Sequence, residues 1–126
     1  MHRPLTAALA LLALGACGGD KEEKEGPAVT VQAGGSARVV AKEYSFDPGK
    51  VVLRGPGRLR ITLVNEGSLA HNLKVTKDDR RLGGTPTFEG GRTESGTVEL
   101  RRGTYEMVCT VGDHAELGMT GTLEVR

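Results

Sequence analysis

Residues 102–125 read RGTYEMVCTVGDHAELGMTGTLEV. Thr104 to Thr110 reads as a short strand. A loop follows it, and Gly121 to Val125 reads as the last strand. Cys109, His114 and Met119 fall in this stretch with the spacing C-x4-H-x4-M. The first stands at the end of one strand and the other two in the loop before the next.

The same texture runs upstream. Leu59, Ile61 and Leu63 alternate with Arg60, Thr62 and Val64. Arg38 to Phe46, Lys50 to Leu53, His71 to Thr76 and Thr97 to Leu100 read as further short strands. Asp47-Pro48-Gly49 and Gly55-Pro56-Gly57 punctuate them, since Pro presets φ and Gly accepts positive φ. Gly83 to Gly91 reads as a loop. No segment keeps helical periodicity for ten residues, and nineteen glycines favour turns over long helices. The expectation is an all-β domain, an antiparallel Greek-key β-sandwich or barrel of about seven to eight strands.

At 126 residues the chain suits one such domain. Aromatic residues are 3% and Trp is absent, so aliphatic side chains and glycines must do the packing. A net charge of +1 lacks the basic excess of a nucleic-acid binder, and none is expected as a partner. There is no GxSxG nucleophile, and the Cys–His pair has no third group to orient it. An enzyme is not expected.

The N-terminus reads as an address. His2 and Arg3 precede Leu5 to Leu14, which is almost purely Leu and Ala. About ten residues fall short of the ~20 that a membrane-spanning helix needs, and the pattern is that of a secretory signal. Leu14-Gly15-Ala16-Cys17 resembles the lipobox of bacterial lipoproteins. That resemblance implies removal of residues 1–16, acylation of Cys17 and attachment to a membrane facing the periplasm or the exterior. Removing Arg3 leaves 16 basic and 16 acidic residues. Residues 17–27, with the charged run Asp20 to Glu25, have nothing apolar to bury and read as a solvated tether. Residues 28–126 read as the folded domain.

With Cys17 at the terminus, Cys109 is a lone thiol in an exported chain, which is paired, reactive or metal-bound. The domain's other soft and imidazole donors are His71, His114, Met107 and Met119. Met107 shares a strand face with Cys109 and reads as core. One thiolate, two imidazoles and a weak thioether form the ligand set of a trigonal copper site with a long axial Met. Zinc also accepts Cys and His, but prefers four strong tetrahedral ligands.

At this point the chain resembles the cupredoxins, the plastocyanin- and azurin-like blue copper proteins, over about Arg38 to Arg126. The segments EYSFDPGKVVL (43–53), VNEGSLAHNLKV (64–75) and the opening stretch carry the likeness. The resemblance implies that His71, Cys109, His114 and Met119 hold one copper ion. It also implies that Asn72 ties the two ligand-bearing segments together and that Asn65 has a structural role. Asp113 stands where a glycine is common, and its carboxylate would favour Cu(II) if it faced the metal. One cysteine in the loop argues against a binuclear centre. The implied function is one-electron transfer by a monomer, with redox proteins docking near His114, Ala115 and Leu117. Copper buffering or delivery without a redox role is the alternative.

Overall fold

The alternation of Leu59, Ile61 and Leu63 is realised in β5 (Gly57–Asn65). These three side chains are fully buried while Arg58 and Arg60 face solvent. Burying each such aliphatic side chain contributes about 1.5–3 kcal/mol, so the pattern fixes which face of the strand points inward. The computed structural model describes residues 27–126. The signal-peptide reading of 1–16, acylation of Cys17 and the 17–26 part of the tether lie outside the described residues.

The other strands are β1 (Ala28–Gln32), β2 (Ser36–Lys42), β3 (Ser45–Asp47), β4 (Lys50–Arg54), β6 (Lys74–Lys77), β7 (Arg80–Gly84), β8 (Thr93–Leu100), β9 (Gly103–Val108) and β10 (Thr120–Val125). One sheet has the order β1-β4-β10-β9-β6-β7 and the other β3-β2-β5-β8. One core lies between them. It takes Val39 and Ala41 from β2, Val51 and Leu53 from β4, Val75 from β6, Tyr105 and Met107 from β9, and Leu123 and Val125 from β10.

The all-β sandwich is as expected, with two differences of detail. The described residues form ten strands rather than seven or eight. β1 and β7 are edge strands with little buried apolar surface, and the Arg38–Phe46 run is split by a turn into β2 and β3. The segment read as a loop from Gly83 begins as the end of β7, held by main-chain bonds to β6.

The sheets are also mixed rather than purely antiparallel. β4 runs parallel to both of its neighbours, β1 and β10, and β2 runs parallel to β5. Val51, Val52 and Leu53 are all buried, the continuous apolar run of a strand covered on both faces.

Two glycines let the sheets meet at one margin. The Gly84 carbonyl on β7 lies where a Cβ on Gly96 of β8 would stand, so side chains at 96 are excluded. At the far end of β8, Tyr105 Oη donates to the Arg101 carbonyl at 2.7 Å and accepts from Arg101 N–H at 3.2 Å, pinning the β8–β9 connection.

This topology decides where the rare residues go. Cys109 follows β9 and Met119 precedes β10, and these strands are antiparallel neighbours with Val108 opposite Thr120. β6 flanks β9 on its other side with Lys74 opposite Val108. His71 therefore arrives at the same end of the sandwich.

Candidate metal centre

His71 lies between β5 and β6. Its backbone exchanges two 3.1 Å hydrogen bonds with Phe88, which anchors the segment to a neighbouring loop. Cys109 N–H donates to the Met119 carbonyl at 3.1 Å. The intervening loop is wound into turns, with His114 N–H donating to the Val111 carbonyl. The His114 carbonyl then accepts from both Leu117 and Met119 N–H. Backbone bonds thus connect Cys109, His114 and Met119 before any side chain is considered.

The side chains converge. His71 Nδ1 and His114 Nδ1 are 3.2 Å apart, and Cys109 Sγ lies 3.9 Å from the first and 3.6 Å from the second. A triangle with these sides has its centre about 2.1 Å from each corner, the length of a metal–imidazole bond. All three residues are buried, His114 being the most exposed at 7%. Met119 is fully buried. Two imidazoles with facing ring nitrogens repel one another as cations, and burial holds His71 below the ordinary histidine pKa of 6.5. A neutral imidazole whose proton sits on the outer nitrogen offers its Nδ1 lone pair to a metal.

The residues around the triangle divide by contact. Asn72 joins the two ligand-bearing segments. Its Oδ1 accepts from Thr110 N–H at 2.9 Å, and its Nδ2 donates to the hydroxyls of Thr110 and Thr87 at 2.8 Å each. Asn65 is buried and braces the histidine segment. Nδ2 donates to the Leu69 and Phe88 carbonyls and Oδ1 accepts from Gly67 N–H. Met107 is in the core. The Asp113 residue is exposed, and its carbonyl accepts from Leu117 N–H.

The acid that reaches the cluster is Glu43, which the sequence reading did not single out. Its Oε1 stands 3.4 Å from His71 Nε2, long for a hydrogen bond, and Nε2 is buried with no other partner among the described residues. Backbone N–H donation from Leu69 is the main reason the Glu43 carboxyl stays below its ordinary pKa. Tyr44 was missed as well, and its ring packs on His114 with centroids 5.1 Å apart. Both residues sit in the EYSFDPGKVVL segment, but nothing in their spacing to the histidines announces the contact.

Beside His114, Leu117 is 50% exposed, and Leu69 near His71 is 42% exposed. Ala115, between His114 and Leu117 in the loop, is half-buried.

Comparison with solved structures places this architecture. Auracyanin B is 22% identical, with a TM-score of 0.68 over 75% of this chain and 90% of its own. Auracyanin A, a "blue" copper protein from the green thermophilic photosynthetic bacterium Chloroflexus aurantiacus, is 19% identical at TM-score 0.62, covering 79% and 100%. Rusticyanin from Thiobacillus ferrooxidans is 23% identical at TM-score 0.60, covering 77% and 82%. The chain has the cupredoxin fold these proteins share. No family model and no curated protein matches the sequence.

Proposed function

We propose that this chain of cupredoxin fold is a one-electron carrier holding one copper ion on His71, Cys109, His114 and Met119. The observation that carries the reading is the buried triangle of one sulfur and two imidazole nitrogens, sized for a single metal ion. A soft thiolate with two imidazoles suits copper in both oxidation states, and copper heads the divalent affinity order.

Copper bound there would supply one-electron chemistry between Cu(II) and Cu(I). The protein's part is to keep the donors in place through that change. Cys109 would provide the thiolate, His71 the interior imidazole, His114 the imidazole nearest solvent, and Met119 a weak thioether. The Asn72 bonds to Thr110 and Thr87 hold the two segments together, and the sandwich beneath them resists rearrangement. Leu117, Ala115 and Leu69 give the rim near His114 an apolar character that suits a transient redox partner. Acylated Cys17 would anchor the protein to an envelope membrane, and residues 17–27 would let the monomer swing over roughly 20 Å by coil statistics.

Voltammetry of the copper-loaded protein tests this. The reading expects a reversible one-electron couple that disappears in Cys109→Ser. An irreversible response, with rapid loss of Cu(I) to a chelator, contradicts it and supports copper delivery instead.

A further inference from the structure

Lys42 of β2 pairs with Ser45 of β3, so Glu43 and Tyr44 form the two-residue turn between them. That turn sends one side chain to each imidazole. Glu43 Oε1 stands 3.4 Å from His71 Nε2, and the Tyr44 ring packs on the His114 ring. The Glu43 carboxylate is also cradled by the loop before His71. Ser68 N–H and Leu69 N–H both donate to Oε1 at 2.7 Å. Gly67 completes the cradle, because a Cβ there would sit 2.7 Å from both carboxylate oxygens. Two amide donors and a missing side chain hold an anion against the buried, otherwise unpartnered nitrogen of His71.

Starting from the copper reading above, we infer that Glu43 is a positioning residue of the centre, acting through His71. It fixes the ring with Nδ1 turned into the triangle and favours the more oxidised metal. A carboxylate at the outer nitrogen of a metal-bound imidazole orients the ring and raises its basicity. Its negative charge attracts the extra positive charge of Cu(II), and the low-dielectric surroundings of His71 weaken that attraction less than water does. Removing the charge therefore tips the balance toward Cu(I).

The test compares the copper-loaded wild type with Glu43→Gln, Glu43→Ala and Gly67→Ala. Gln keeps an acceptor for the two amides and loses the charge. Gly67→Ala keeps the acid and displaces it. All are expected to retain the thiolate–copper absorption band. Glu43→Gln is expected to raise the Cu(I)-to-Cu(II) affinity ratio about tenfold, an upward shift of about 59 mV for a one-electron couple. Glu43→Ala and Gly67→Ala shift the same way. In the diamagnetic Cu(I) form, NMR is expected to find the His71 Nε2–H proton downfield in wild type and upfield in both Glu43 variants.

An unchanged potential in Glu43→Gln overturns the inference. So does a shift in Glu43→Ala without one in Glu43→Gln, which assigns the effect to loop packing. A wild type with no thiolate–copper band overturns the copper reading itself, and this inference falls with it.

Discussion

At the scale of single residues, the chain concentrates its rare donors at one end of the sandwich and spends polar side chains on holding them there. Asn72 is the clearest case. Its three hydrogen bonds span from the His71 segment to Thr110, beside Cys109, and to Thr87. Asn72→Ala leaves the Thr110 N–H without its acceptor, and at about 1 kcal/mol per bond the loss should be roughly 2–4 kcal/mol. Denaturant unfolding of the metal-free protein measures it, and a loss below about 0.5 kcal/mol would show that the network does not brace the site.

His71 makes a second prediction with a definite sign. Burial holds its pKa below 6.5 in the folded metal-free protein. The unfolded chain then takes up the proton first. The stability this histidine contributes is complete above about pH 6.5 and is lost as pH falls below that value. NMR titration of the metal-free protein should place the His71 pKa below 6.5, and a value at or above it contradicts the sign.

The four proposed ligands were legible because cysteine, histidine and methionine are scarce and their spacing in the C-terminal run is distinctive. Glu43 was not legible. Acidic residues are common in this chain, and its contact with His71 exists only because the β2–β3 turn and the loop before His71 are brought together by the fold.

At the scale of elements, period-two alternation marked β5, which buries one face against the core. Alternation carries no sign of strand direction, so the parallel pairings of β4 and β2 were invisible to it. The one available hint was the unbroken Val51-Val52-Leu53 run, which fits a strand covered on both faces. β7 escaped notice because Arg80, Arg81 and Leu82 are exposed and its remaining two residues are glycines.

Those glycines matter to the packing. Gly96→Ala would drive a methyl group into the Gly84 carbonyl, backbone against which nothing can rotate away. It should cost about 3 kcal/mol or more, at the upper end for overpacking. Gly49→Ala, whose new Cβ would meet only the Phe46 carbonyl at 3.8 Å, should stay within about 0.5 kcal/mol. Thermal or chemical denaturation of the pair separates the cases, and equal stability would show that the β7–β8 approach is looser than described.

At the scale of the whole molecule, two sheets and one aliphatic core make a frame whose end carries three buried donors. A metal that binds the folded chain and not the unfolded one stabilises it by mass action, about 4 kcal/mol when free metal is a thousand times the dissociation constant. Copper should therefore raise the melting temperature of the wild type strongly and that of Cys109→Ser much less, as calorimetry would record. An equal rise in both would place the bound copper elsewhere. The frame also explains why Cys109 need not form a disulfide. It is fully buried, and the described residues hold no second cysteine.

The most direct test of the central claim is addition of one equivalent of Cu(II) to the purified metal-free protein, followed by visible absorption and EPR. The account predicts an intense thiolate-to-copper band that saturates at one copper per chain, with narrow hyperfine splitting and no such band in Cys109→Ser. A colourless protein, or an ordinary tetragonal Cu(II) spectrum, would contradict it.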